Sequence, residues 1–307
     1  MERHGGWPFG EYPAGGLERL GPHVVAYYAE AMPLANSAIV RGADRTLVFD
    51  ANVFRFARAV RAVVDADAPP LSHLVLSHHH DDHTFGAMYF APPARVLARA
   101  YTRRQMERVG AMDVRGVTER YRDDAYEAEV AEEVPGLRLV VPDAVVEVAE
   151  TIDLGGGVSV DLHPVGGAAH TCGDLWAFVE PDGVALCGDL WFNGCEPYLG
   201  SGSVAGAKAA VAELRAAGAR IYLPGHGLAG RIGRGDAVER FCAWLLETVA
   251  AQLDQGIEGD ELKVAVTVAF EAQKDRPGSV GFPFAVPGFL ADAVEAAAAD
   301  VRGRRSG

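Results

Sequence analysis

Cysteine is scarce: Cys172, Cys187, Cys195 and Cys242 are the only four in 307 residues, and no two are spaced as C-x-x-C. That excludes a dense disulfide framework and leaves free thiols as the expectation. Positive charge is also short, with 28 Lys and Arg against 42 Asp and Glu and a formal charge of −14. A phosphate polymer needs a basic track that releases counterions, so nucleic acid is disfavoured as a partner. The basic clusters at Arg103-Arg104, Arg231 to Arg234 and Arg302 to Arg305 are short and interrupted by acids or glycine, as on a solvated surface. No apolar run reaches the roughly 20 residues of a membrane span. The opening Met-Glu-Arg-His-Gly-Gly-Trp-Pro lacks the charged-then-apolar order of a secretion signal, so a cytoplasmic protein without membrane contact is expected. No low-complexity tract or short tandem repeat is present. Length alone predicts about two domains, but residues 1–307 read as one.

What the chain does have is histidine in a particular order. In Leu74-Val-Leu-Ser-His78-His-His80-Asp-Asp82-His83, three candidate ligand imidazoles (His78, His80 and His83) and a candidate carboxylate (Asp82) fall within one strand-to-loop transition. Strand alternation predicts Leu74, Leu76, His78 and His80 on one face, so that His78 and His80 grip one ion. Asp82 and His83, just past the strand end, would aim at a neighbouring position. Three more candidate ligands each follow an apolar run and a small-residue turn: His170 after Val-Asp-Leu-His-Pro-Val-Gly-Gly-Ala-Ala, Asp189 after Gly-Val-Ala-Leu-Cys-Gly, and His226 after Arg-Ile-Tyr-Leu-Pro-Gly. Each reads as a buried strand ending in a ligand, and such ends converge at one rim of a sheet.

The series H-x-H-x-D-H, a distant His, G-D and G-H resembles the metallo-β-lactamase superfamily, from Val24 to Gly227. The phrases Ser-His-His-His-Asp-Asp-His-Thr-Phe-Gly, Ala-Ala-His-Thr-Cys-Gly-Asp-Leu and Gly-Asp-Leu-Trp-Phe-Asn-Gly are similar to a glyoxalase II-like branch of general metallo-hydrolases. The resemblance implies an α/β four-layer αββα sandwich, here with a helical insert at about 101–135 and a helical C-terminal extension at about 236–305. It implies that His78, His80 and His170 bind a first metal, that Asp82, His83 and His226 bind a second, and that Asp189 bridges them. Asp50, ending Leu-Val-Phe-Asp, resembles a recurring structural aspartate that holds loops. Asp189 stands where one class of antibiotic-degrading relatives carries cysteine, and His80 where the flavodiiron branch carries glutamate. Two positions depart from relatives: Asp81, often a small residue there, and Glu196, often histidine.

Five imidazoles and two carboxylates suit zinc, two ions per chain, with Fe or Mn acceptable by ligand type. Two such ions sharing a water supply hydroxide near neutral pH, which makes the expected activity dinuclear zinc-dependent hydrolysis of a thioester, ester, lactone or amide, with Asp82 also orienting the nucleophile. A mononuclear iron sulfur oxygenase of the persulfide dioxygenase type and a metal-binding protein without catalysis are the alternatives. The glutathione-binding tail of glyoxalase II is not evident, which points away from S-lactoylglutathione to another small acyl substrate. Tyr89, Trp191, Asn193 and Tyr198 are the candidate substrate wall.

Around these motifs the pattern predicts strands at Val24 to Ala29, Ser37 to Arg41, Thr46 to Asp50, Leu137 to Val141, Val145 to Val148 and Val158 to Leu162. Helices are predicted over Phe54 to Asp67, Thr102 to Glu133, Ala237 to Leu253 and Leu262 to Ala272, with an Ala-rich one at the end. The charged insert is either a lid, with Tyr101, Met106, Tyr121 and Tyr126 lining a pocket, or a helical pair covering a sheet edge. Phe282, Phe284 and Phe289 either anchor the core, close over the pocket or mediate a homodimer.

Overall fold

The computed structural model describes residues 16–29, 35–66, 69–110, 128–273, 280–282 and 288–306. Seven strands form the first sheet in chain order: β1 (Leu17–Arg19), β2 (Val24–Tyr28), β3 (Asn36–Arg41), β4 (Thr46–Phe49), β5 (Leu71–Val75), β6 (Arg95–Ala98) and β7 (Ala144–Val145). The pairs from β1 to β4 are antiparallel and those from β4 to β7 parallel. The second sheet contains β8 (Glu150–Gly155), β9 (Val158–Pro164), β10 (Leu175–Glu180), β11 (Val184–Leu186) and β12 (Ile221–Leu223), in the order β12-β11-β10-β9-β8. Because β9 and β11 both run antiparallel to β10, and β12 runs parallel to β11, the C-terminal ends of β9, β11 and β12 share one edge.

The strands are apolar on both faces because each sheet is covered on both sides. Leu47 and Phe49 of β4 point into the layer between the sheets, where Leu175, Ala177 and Val179 of β10 meet them; Val48 and Trp176 point outward to the helices. Three apolar clusters result, one between the sheets and one under each helical layer. The outer layer on the first sheet contains α1 (Phe54–Ala66), α3 (Ala100–Gly110) and α4 (Ala128–Glu133), while the short α2 (Asp81–Thr84) sits at the rim. The layer on the second sheet contains α5 (Val204–Ala216), α6 (Ala237–Asp254), α7 (Gly259–Glu271) and α8 (Phe289–Ser306). In α6, Val238, Phe241, Cys242, Leu245, Leu246 and Val249 repeat at helical spacing and are all buried, each contributing about 1.5–3 kcal/mol for the larger side chains. Asp236 starts that helix by accepting from the Val238 amide. This is the four-layer αββα sandwich with a C-terminal helical region.

Several local expectations change. The strand expected at Leu137 to Val141 is unpaired chain: Pro135 and Pro142 bracket it and cannot donate to a ladder, and Leu137, Leu139 and Val140 pack on the outer helical cluster instead. Only Ala144–Val145 of the next segment pairs, as the edge strand β7. β8 was not anticipated, although Ile152 and Leu154 point inward between polar Thr151 and Asp153. Of the charged insert, α3 and α4 are helical, Met106 is fully buried in the helical cluster, and Tyr121 and Tyr126 lie outside the described residues. Phe282 packs on Phe241 as a core anchor, and Phe284 also lies outside the described residues. No helix among the described residues is long and apolar enough to cross a membrane.

Candidate metal centre

β5 ends at Val75, so His78 and His80 do not lie on a strand and alternation is not what brings them together. His78 sits in a bend over residues 77–79, and His80, in extended conformation (φ −65°, ψ 151°), precedes the first turn of α2. Asp82 and His83 occupy that first turn. Strand ends supply the other groups: His170 follows β9, Asp189 follows β11 and His226 follows β12. Convergence at one rim is therefore a property of sheet topology, with bends completing it.

Two groups of metal-competent atoms result. His78, His80, His170 and Asp189 form one, and Asp82, His83 and His226 the other; within each group the atoms lie within 4.8 Å of one another. His80 Nδ1 is 2.9 Å from both His78 Nε2 and His170 Nε2, which are 3.1 Å apart. Asp189 reaches both groups: Oδ2 is 3.2 Å from His170 Nε2 and 3.4 Å from His226 Nε2, while Oδ1 is 3.1 Å from His83 Nε2. Asp82 Oδ2 lies 3.4 Å from His226 Nε2 and 3.7 Å from His83 Nε2.

The hydrogen bonds behind these rings decide which nitrogen faces inward. His170 Nδ1 is 2.9 Å from the Tyr198 carbonyl, which only accepts, so the proton is on Nδ1 and Nε2 presents a lone pair. His83 Nδ1 donates to Asp50 Oδ2 at 2.8 Å, which turns its Nε2 toward Asp189 and Asp82. Ser77 Oγ gives its one proton to Asp50 Oδ2, so it accepts from His78 Nδ1 at 2.9 Å and His78 Nε2 is bare. His78 Nε2 and His170 Nε2 are then two bare nitrogens 3.1 Å apart, which repel unless a cation or a proton sits between them, and tetrahedral Zn–N bonds of about 2.0–2.1 Å give ligand separations of roughly 3.3 Å. His83 Nε2 and Asp189 Oδ1 are also buried without a hydrogen-bond partner. The residues fit divalent cations.

Charge separates the two groups. Burial and the neighbouring imidazoles hold His78 and His80 well below the usual histidine range, and burial brings His170 down to about 4. Burial opposes charge on His83 too, but Asp189, Asp82 and Asp50 together outweigh it and hold His83 well above its ordinary value. Burial pushes Asp82 up to about 6, whereas at Asp189 it is outweighed by His226, His83 and His170, which hold that carboxyl well below its usual range.

Glycines make the geometry feasible. A Cβ on Gly225 would stand 1.8 Å from Asp189 Oδ1, and one on Gly188, at φ +50°, would stand 2.6 Å from Ser77 Cβ. The glycines of G-D and G-H are thus needed to let the carboxylate and the Ser77 bend approach. Asp50 does more than hold a loop: besides fixing His83, it accepts from the Ser77 amide at 2.7 Å, and it takes a left-handed φ of +60° to do so.

The residues expected as a substrate wall fall in different places. Phe192 forms a parallel bridge with His226, stacks on its ring at 5.3 Å and lies 5.9 Å from His170. Its neighbours face the other way. Trp191 is 2% exposed, sits in the core under the second helical layer and donates its indole N–H to Asp236. Asn193 braces the His226 loop, donating to Leu228 O at 2.7 Å and, through its amide, to His226 O. Tyr89 belongs to the outside of the first sheet, where Arg58 and Arg61 of α1 hold its hydroxyl and carbonyl. Tyr198 does stand at the centre, its ring 5.7 Å from His80 and 5.0 Å from Phe289. Tyr101, from the insert, packs 5.7 Å from His79. Phe192, Ser77 and Ser201, whose Oγ is 3.1 Å from His80 Nε2, are functional neighbours the motifs did not single out; Phe192 and Ser77 do sit beside motif residues.

Comparison with known proteins agrees with this geometry. Residues 33–226 match the family model described as the metallo-beta-lactamase superfamily. Among solved structures, the stereoselective inverting sec-alkylsulfatase Pisa1 from Pseudomonas sp. is 18% identical with a TM-score of 0.70, covering 93% of this chain and 50% of that longer one. A metallo-beta-lactamase from Pontibacter korlensis is 14% identical with a TM-score of 0.54, covering 70% of this chain and 92% of its own. The DIM-1 metallo-beta-lactamase is 14% identical with a TM-score of 0.56, covering 74% and 96%. Among proteins of curated function none matches the chain in sequence. Similarity at this identity shows shared architecture, and with the family match over most of the described core it leads to one statement: the chain belongs to the metallo-beta-lactamase superfamily.

Proposed function

We propose that the chain is a dinuclear zinc hydrolase that cleaves an acyl bond, in a thioester, ester, lactone or amide, of a small molecule. The observation that carries this reading is Asp189, a single carboxylate within 3.4 Å of imidazoles from both groups. His78, His80 and His170 would hold one cation and Asp82, His83 and His226 the other, with Asp189 serving both. A pair of divalent cations, when bound, acidifies a shared water to a pKa of about 7 and polarises the bond to be cleaved.

The chain's own groups do the rest. Asp189 is almost fully enclosed, its side chain 4% exposed, whereas that of Asp82 is 23% exposed. Of the two carboxylates, Asp82 is the one open to an entering water, and its role is to accept a hydrogen bond from that water and orient it. Phe192, stacked on His226, and Tyr198, beside His80, supply apolar surfaces that exclude bulk water. The likeness to an alkylsulfatase adds sulfate esters to the substrates worth testing.

The test is a hydrolysis panel of thioesters, esters, lactones, β-lactams and a sec-alkyl sulfate with zinc-loaded protein. Turnover of an acyl substrate that disappears in Asp82→Ala is expected. Turnover of the sulfate alone would overturn the acyl reading, and one iron per chain with oxygen uptake on a persulfide would replace hydrolysis by sulfur oxygenation.

A further inference from the structure

His80 differs from its two partners in which nitrogen faces inward. It points Nδ1 at His78 and His170, and its outward nitrogen, Nε2, lies 3.1 Å from Ser201 Oγ. A neutral imidazole carries one proton, so Nδ1 is bare only if Nε2 holds the proton and gives it to an acceptor. Ser201 Oγ, a hydroxyl that can donate or accept, is the group placed to take that proton when Nδ1 faces a cation.

We propose that Ser201 is a positioning residue that selects the Nε2–H tautomer of His80 and so keeps Nδ1 available to a metal; this rests on the proposed metal role of the first group. The same loop does this twice over. Three residues earlier, the Tyr198 carbonyl fixes the His170 tautomer. One segment, Tyr198 to Ser203, therefore sets the donor atoms of two of the three imidazoles.

That segment is held from both sides. Toward the centre, the Ser203 amide donates to Ala169 O at 2.8 Å, and a Cβ on Gly202 would stand 2.1 Å from the same carbonyl. Toward the C-terminal helices, Asp300 of α8 accepts from Ser203 Oγ at 3.0 Å and from the Ala205 amide at 2.8 Å. Phe289, the first residue of α8, packs on the Tyr198 ring at 5.0 Å. The C-terminal helix thus anchors the loop that orders His80 and His170, which ties the extension to the metal centre rather than leaving it as a cover for the sheet.

The tautomer is read directly by ¹⁵N–¹H correlation of the histidine rings in metal-free protein at pH 7.5. The wild type is expected to show His80 protonated at Nε2, and Nδ1 protonation would overturn the proposal whatever the protein does with metals. Ser201→Ala is expected to mix the tautomers and to weaken zinc at one of two sites by about 10- to 100-fold, with Ser201→Thr restoring both readings. Ser201→Ala with a pure Nε2–H tautomer and unchanged affinity would also overturn it. If the wild type shows the expected tautomer but takes up no zinc, the metal reading fails and the tautomer assignment stands by itself.

Discussion

The two metal groups differ in how many protons must leave before a cation can enter, and this has a measurable signature. In the metal-free protein His78, His80 and His170 are held below the ordinary histidine range and Asp189 below the ordinary carboxylate range, so the first group is already deprotonated at pH 7. His83 is held well above that range, His226 is raised, and Asp82 is pushed up to about 6. Binding at the second group must therefore displace at least the His83 proton, and below pH 6 the Asp82 proton as well. Each displaced proton costs affinity tenfold, about 1.4 kcal/mol, for every pH unit below the group's pKa. For each pH unit below the His83 pKa the second zinc is expected to weaken by about tenfold more than the first, one proton separating them. The assay is isothermal titration calorimetry of metal-free protein in buffers of different ionisation enthalpy, which counts released protons for each binding step. Equal proton release from both steps, or a first step that is the more pH-dependent, would refute the charge assignment.

Three substitutions test parts of the construction. Gly225→Ala places a methyl where Asp189 Oδ1 now lies, 1.8 Å away, and is expected to cost at least one equivalent of bound zinc by metal analysis although residue 225 supplies no ligand atom. Asp50→Ala strands the Ser77 amide, the Ser77 hydroxyl and His83 Nδ1, at roughly 1–3 kcal/mol for each buried group; denaturant midpoints should fall accordingly, and unchanged stability would contradict the network. Trp191→Phe removes the bond to Asp236 and should cost about 1 kcal/mol of stability with KM unchanged, because the indole lies in the core; a large KM effect would return Trp191 to the substrate wall.

The candidate ligands are legible because each has a local context: His78, His80, Asp82 and His83 come in one dense run, and His170, Asp189 and His226 each follow an apolar run and a small-residue turn. The G-D and G-H glycines carry part of that message, since Gly188 and Gly225 leave the space that Ser77 and Asp189 fill. What was not legible depends on where pairing stops. Period-two reasoning continued β5 through His80, but the ladder ends at Val75, and the chain reaches the same meeting point by bends. The same kind of parity decides Trp191 against Phe192. A single bridge between Phe192 and His226 turns Phe192 toward the rings and sends Trp191 into the helical layer, and no residue type announces that. Ser201 is 121 positions from His80, so only the folded chain joins them.

The central claim is that seven side chains hold two cations around Asp189. Its most direct test is a zinc-loaded crystal structure with anomalous scattering at the zinc edge, supported by metal analysis of the same protein. Two anomalous peaks flanking the Asp189 carboxylate, one against His78, His80 and His170 and one against Asp82, His83 and His226, are predicted. A single peak, or ions bound by other residues with Asp189 uncoordinated, would contradict the account.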